Sequence, residues 1–194
     1  MRIVDLSRVI QGRTPHVQFQ LHHKTPFTRV EAPAFVKRRG KTVDQISVEK
    51  LLRSAVLLDL SGKTVGKIDD EDLEGAEEAA GISVREDEVV ILQTGSNGIS
   101  KRRGPGFAGL SRNAVDYLLF KRIAGVGIDS SSIDDSKRMQ AHEALLQKGV
   151  LVIENLCNLR EIDESRFRLL VLPLKVKAAG SPARVLALLG ESYW

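Results

Sequence analysis

The chain has 194 residues, of which 42% are hydrophobic, and a formal charge of +4. That suffices for one globular domain with a sizeable core, residues 1–194 forming a single unit. It excludes a helical membrane span, which needs roughly 18–20 consecutive apolar residues. The opening MRIVDLSRVI has no signal-peptide core, and one cysteine excludes an internal disulfide, so a reducing cytoplasm is the expected location.

In chain order, Val17–His23 alternates apolar and polar residues as a half-buried strand does. Its adjacent His22 and His23 point to opposite faces, so both cannot ligate one ion. A basic cluster, Val36–Lys41, follows. Ser47 is placed to cap a short helix running through Arg53, and Ala55–Leu60 reads as a buried strand. Asp69 or Asp70 starts an acidic helix with Leu73, Ala76 and Ala80 inward, and Gly81 ends it. Glu88–Gln93 is a strand, and Thr94–Leu110 a long glycine-rich loop of a kind that is often functional. That loop holds a second basic cluster, Ser100–Gly106. Ser111 caps a helix through Arg122 with Ala114, Val115, Leu118 and Leu119 on one face. Gly125–Ile128 is a strand, Ser136–Lys148 a helix stopped by Gly149, and Val150–Ile153 another strand. Cys157 lies in an apolar context that predicts a buried inert thiol rather than a nucleophile. Phe167–Lys175 and Val185–Leu189 are apolar runs that pair with each other, and Tyr193-Trp194 is an apolar end suited to burial at a contact. Helices alternating with apolar strands predict an α/β domain around a largely buried sheet.

The motif inventory excludes several chemistries. There is no Gly-x-Ser-x-Gly elbow, phosphate-binding Gly-x-x-x-x-Gly-Lys-Ser/Thr, Cys-x-x-Cys pair or dinucleotide fingerprint. Lysine and arginine clusters can bind nucleic acid through counterion release. Here they have no interleaved aromatics, and only 5% of the chain is aromatic, so solvated loops are the reading and nucleic acid is not an expected partner.

Several segments stand in a familiar order: Asp5-Leu6-Ser7, Gly40–Ile46, LLDLSG at Leu57–Gly62, EDEVVILQTG at Glu86–Gly95, GFAGLS at Gly106–Ser111, GVGIDSSSID at Gly125–Asp134, and the tail at Ala141–Leu159 and Arg166–Leu189. Together they resemble the cyclase family of metal-dependent hydrolases, which includes kynurenine formamidase. The resemblance implies the swivelling β/α fold and a two-fold homodimer. It also implies a metal motif, His-x-Gly-Thr-His-x-Asp-x-Pro-x-His, at Thr25–Phe35. Thr25 and Arg29 stand for the two histidines, Phe27 for the glycine, Glu31 for the aspartate and Phe35 for the last histidine. Thr28 and Pro33 match outright. Arg8 stands for the histidine that ends the family's Asp-Leu-Ser-His.

The resemblance further implies that His142 and Glu154 correspond to ligands of the family's second metal. Glu31, His142 and Glu154 are therefore the candidate catalytic residues, and the ligands of one Zn, Mn or Fe ion if a single-metal site survives. Arg29 argues the other way. A guanidinium cannot bind a cation, and two residues from Glu31 on a strand it faces the same side. Paired with Glu31 and Glu154 it would replace the metal's charge, and the expectation is then no metal cofactor. Phe27 and Phe35 make the pocket smaller and more apolar. The basic clusters flank segments that line the pocket mouth in the family, where they could attract a small anionic ligand. Two functions remain open: a metal-dependent hydrolase, acting on the C–N bond of an amide or formamide or on a lactone, and a non-catalytic member that binds a small anion or a protein partner.

Overall fold

The computed structural model describes residues 1–10, 27–96, 107–135 and 138–190. Its strands are β1 (Arg2–Asp5), β2 (Arg29–Glu31), β3 (Leu52–Asp59), β4 (Gly66–Ile68), β5 (Val89–Gln93), β6 (Ala108–Leu110), β7 (Gly125–Ile128), β8 (Leu151–Glu154), β9 (Arg166–Pro173) and β10 (Gly180–Leu189). The helices are α1 (Asp70–Ala80), α2 (Arg112–Phe120) and α3 (Gln140–Gln147).

The main sheet runs β1-β10-β2-β8-β7-β5-β3-β9, and β9 also pairs with β10. The second pairing closes β10, β2, β8, β7, β5, β3 and β9 into a seven-stranded, barrel-like ring with β1 added on β10. β10 can serve three partners because it is ten residues long. Its start pairs with β2, its end with β1, and residues 183–188 with β9 along the other edge. β3, β5, β7 and β8 are mutually parallel; β5, β7 and β8 are buried on both faces, as is the middle of β3 at Ala55, Val56 and Leu58, which is why they read as apolar runs.

The alternation of side chains splits the core in two. Val30, Ala55, Val89, Ile91, Leu151, Ile153, Phe167, Leu169, Val171, Val185 and Ala187 fill the ring. Val56, Leu58, Val90, Leu92, Val126, Ile128 and Val152 face outward and pack under the three helices. Gly127 faces the ring, where a Cβ would meet Ile91 Cδ1 at 2.6 Å and Leu156 Cδ1 at 2.9 Å, so any larger residue there would have to push these two side-chain ends aside.

Several boundaries differ from the sequence expectation. Ser47 precedes only a 3-10 turn, Val48–Leu51, to which its side chain gives no capping bond, and β3 begins at Leu52. Asp69 caps α1 with Asp72 at the third position, and Gly81 ends it at φ 63°. Ser111 accepts from Ala114 N at 3.1 Å and starts α2 as predicted. The last three residues of the Thr94–Leu110 loop are β6, paired with β4. Cys157 is half-buried rather than buried, and its thiol is pushed up by that burial, which keeps it protonated. Val17–His23, Thr25, Ser100–Gly106 and Tyr193-Trp194 lie outside the described residues. Among those described, no helix is long and apolar enough to cross a membrane.

Candidate functional site

β2 is three residues long and sits between β10 and β8. Val30 points into the ring, so Arg29 and Glu31 point to the helix side. The β2–β8 register sets Arg29 directly opposite Glu154, the last residue of β8. Glu154 lies on the same outward face because Ile153 is inside. His142, in the first turn of α3, comes down onto this face, since α3 packs on β8. Residues more than a hundred positions apart thereby meet in one cluster.

The cluster is fully buried: Arg29, Glu31, His142 and Glu154 are each at most 1% exposed. Arg29 Nε donates to Glu31 Oε1 at 2.8 Å, and its Nη2 pairs with Glu154 Oε2. Nη2 also reaches Ser131 O at 3.1 Å. The opposite oxygens face the imidazole. His142 Nε2 lies 2.8 Å from Glu31 Oε2 and 3.0 Å from Glu154 Oε1. These are hydrogen-bond lengths, yet neither Glu31 Oε2 nor His142 Nε2 has a well-directed hydrogen bond. We read the contacts as an ion pair in which one N–H is divided between two carboxylates, because the distances are short and the groups carry opposite charge. Glu154 Oε1 also accepts from Ile133 N at 2.7 Å.

Asp134 holds the imidazole from behind. Its carboxylate accepts from Ala141 N at 3.0 Å and His142 N at 3.1 Å, which caps α3 from outside the helix. The same carboxylate lies 2.6 Å from His142 Nδ1 and fixes the ring. Phe35 packs on the other side, with ring centroids 5.5 Å apart.

Charge balance follows from these contacts. Burial opposes protonation of His142, but Asp134, Glu154 and Glu31 outweigh it and push the imidazole up to about 12. Burial likewise works against ionisation of Glu154, and Arg29 and His142 overcome it, so its carboxyl falls below the ordinary value. Glu31 goes the other way: burial and the neighbouring Glu154 raise it despite His142 and Arg29. Asp134 is lowered, its burial outweighed by His142 and the two α3 N–H groups. Two cations therefore face three carboxyls, one of which resists ionisation.

Thr28 and Arg8 build the support beside the cluster. Thr28 Oγ1 donates to Asn155 O at 2.7 Å and accepts from Arg8 N at 2.8 Å. Arg8 Nε donates to Asn155 O at 3.1 Å and its Nη2 to Leu156 O at 3.2 Å. These bonds tie the end of β8 to the segment after β1. Phe27 is buried. Sequence reasoning assigned no role to Asp134, Ser131 or the Ile133 N–H. Asp134 was visible inside GVGIDSSSID, but nothing in its spacing linked it to His142.

Glu31, His142 and Glu154 each offer one donor atom, all within 4.8 Å of one another, and are the donor set among the described residues for a metal of the kind the family carries. The cluster as a whole does not suit one. Glu31 Oε1 and Glu154 Oε2 already bind a guanidinium. At roughly 4 Å and an effective dielectric of about 20, a dication beside that guanidinium meets a repulsion of about 8 kcal/mol.

The Cyclase family model matches residues 4–135. The chain is similar to the kynurenine formamidase of Bacillus cytotoxicus, 26% identical over 162 residues that cover 82% of this chain and 73% of that protein. For the Bacillus cereus enzyme the figures are 29% over 163 residues, 81% and 72%. Among solved structures, a potential metal-dependent hydrolase with cyclase activity superposes with a TM-score of 0.78 at 25% identity, covering 96% of each chain. Isatin hydrolase A from Labrenzia aggregata gives 0.79 at 23% identity over 98% and 94% of the chains, a likeness of fold.

Proposed function

The chain belongs to the cyclase family, and from that premise we propose that it is a member that keeps the hydrolase scaffold but not metal-dependent hydrolysis, with a buried salt-bridge cluster in the metal's place. The observation that carries this reading is the pairing of Arg29 with both Glu31 and Glu154. Those carboxylates would otherwise be buried without a counter-charge, which proteins avoid. Phe35 stands against His142 where the family's motif has a histidine, so the imidazole has an apolar neighbour on that side.

A binding role remains, for a small anion or a protein partner. Lys37, Arg38, Arg39 and Lys41 are exposed on the loop after Phe35, where they favour an anionic ligand. The partner with most support is a second copy of this chain. On the outer face of β3, β9 and β10, Leu170 pairs across to Leu52 on one side and Leu186 on the other. Leu52 and Leu172 are nearly half exposed and Leu174 more so. Such a face suits an isologous two-fold contact.

A second reading, a single-metal hydrolase of the formamide, amide or lactone class, is favoured by one observation: Glu31 Oε2 and His142 Nε2 are buried without directed hydrogen bonds. Hydrolysis assays on formamide, amide and lactone substrates, with and without added Mn or Zn, separate the two. Background rates under every condition are expected. Chelator-sensitive turnover would overturn the first reading and establish the second.

A further inference from the structure

Two loops distant in sequence form one basic surface. Lys37, Arg38, Arg39 and Lys41 are exposed between Phe35 and the 3-10 turn Val43–Gln45, and Lys175 and Lys177 are exposed on the connection from β9 to β10. Backbone bonds stitch the two loops together. Asp44 N donates to Val176 O at 3.2 Å, Val43 N to Ala178 O at 2.9 Å and Ala32 N to Ala179 O at 2.8 Å. The first loop is itself a built turn, in which Ala34 N donates to Lys41 O at 2.9 Å and Gly40 N to Lys37 O at 2.7 Å. Gly40 lies so close to the preceding chain that a Cβ would meet Pro33 C at 2.5 Å and Ala34 N at 2.6 Å, a backbone approach that only glycine permits. None of the six basic residues makes an ion pair with a described residue. The acidic residues of the two following turns, Asp44 and Glu49, are too few to neutralise them.

This chemistry selects a partner. A small anion is held by donors that converge in a concavity, whereas these six are spread over two exposed loops. Single-stranded nucleic acid gains from aromatic side chains on which bases stack, and neither Val36–Lys41 nor Leu174–Ala179 contains one. Between Lys175 and Lys177 stands Val176, 39% exposed. An apolar side chain gains nothing against the phosphates of a nucleic acid, but it enters the headgroup layer of a bilayer. We propose that the paired loops dock the protein on an anionic phospholipid surface, with the cations over the headgroups and Val176 among them. The contact is peripheral, needs no spanning helix and leaves the leucine face to a second copy. It rests on the binding role proposed above, to which it gives a partner, and is independent of the state of the buried cluster. Each lysine or arginine within a Debye length of such a surface, about 8–10 Å, strengthens binding roughly fivefold.

The test is sedimentation of the full-length protein with vesicles of phosphatidylcholine alone, or of phosphatidylcholine with about 30% phosphatidylglycerol, at about 0.1 M salt. Binding to the mixed vesicles only is expected, and it is expected to be lost at about 0.5 M salt. Arg38→Gln/Arg39→Gln and Lys175→Gln/Lys177→Gln each remove two charges, and each is expected to weaken binding about 25-fold with the melting temperature unchanged. Arg85→Gln/Arg160→Gln removes the same charge from exposed residues elsewhere and is expected to leave binding unchanged. Equal binding to both vesicles, or to neither, overturns the proposal, as does an equal loss in the Arg85/Arg160 control. Displacement by inorganic phosphate, beyond that by sodium chloride at equal ionic strength, overturns it in favour of a small anion. Tighter binding to a single-stranded oligonucleotide than to the mixed vesicles overturns it in favour of nucleic acid. None of these outcomes touches the reading of the buried cluster, which the hydrolysis assays decide.

Discussion

Val30 and Arg29 are neighbours on one three-residue strand, yet they enter different interiors. Val30 joins the apolar filling of the ring with Ile153 and Leu151. Arg29 and Glu31 turn the other way, toward α3, into a cluster of charges that is just as dry. Inside the ring, stability follows from contact area, and any side chain of the right shape serves. On the helix side it follows from charge balance, so removing one member leaves its partners buried and unpaired. The same backbone supports both because a strand sends successive residues to opposite faces. On the proposed reading the scaffold keeps its fold without a metal because a cation remains where the carboxylates need one.

That contrast can be broken by mutation. The largest expected effect is for Arg29→Ala, which strands Glu31 and Glu154; unfolding in metal-free buffer is expected to show a loss of about 3–5 kcal/mol. Val30→Ala, one residue away and fully buried, removes two methyl groups and is expected to cost roughly 2 kcal/mol with no dependence on pH. If the two losses are equal and equally indifferent to pH, the distinction between the faces is wrong.

The pH dependence sharpens it. His142 is raised from 6.5 to about 12, so the stability it contributes is complete below pH 6.5 and is lost as pH rises toward 12. Glu154 and Asp134 are lowered, and their contribution is lost only as pH falls toward their native values. His142→Gln is therefore expected to cost more at pH 6 than at pH 10, by at least about 1 kcal/mol. An equal cost at both would mean that the imidazole is neutral. The smallest expected effect on folding is for Leu172→Lys on the outer leucine face, within about 0.5 kcal/mol, while light scattering shows a dimer becoming a monomer. A wild type that is already monomeric at micromolar concentration would contradict the proposed assembly.

Much of the fold was legible because its parallel strands are buried on both faces, and such strands announce themselves as apolar runs. The caps of α1 and α2 were legible because they are local chemistry. What escaped was short or distant. β1, β2 and β4 have three or four residues, too few for a period, and β2 carries two charges in three positions. The start of α3 is set by Asp134 reaching in from the preceding loop rather than by a cap at its own first residue. Closure of the ring through β9 and β10 depends on the length of β10, which its sequence shows only in part: Gly180–Arg184 is not an apolar run. In the site, the family resemblance brought Arg29, Glu31, His142 and Glu154 into view together, since no spacing rule joins residues on β2, α3 and β8. Asp134 was missed because its role exists only once α3 has packed.

The proposed replacement of a metal by an arginine is tested most directly by a crystal structure of wild-type protein grown with excess Mn(II), with anomalous data collected for that ion. The account predicts Arg29 Nε and Nη2 on Glu31 and Glu154, and no anomalous peak among Glu31, His142 and Glu154. A peak bridging those three residues, with Arg29 turned away, would contradict it.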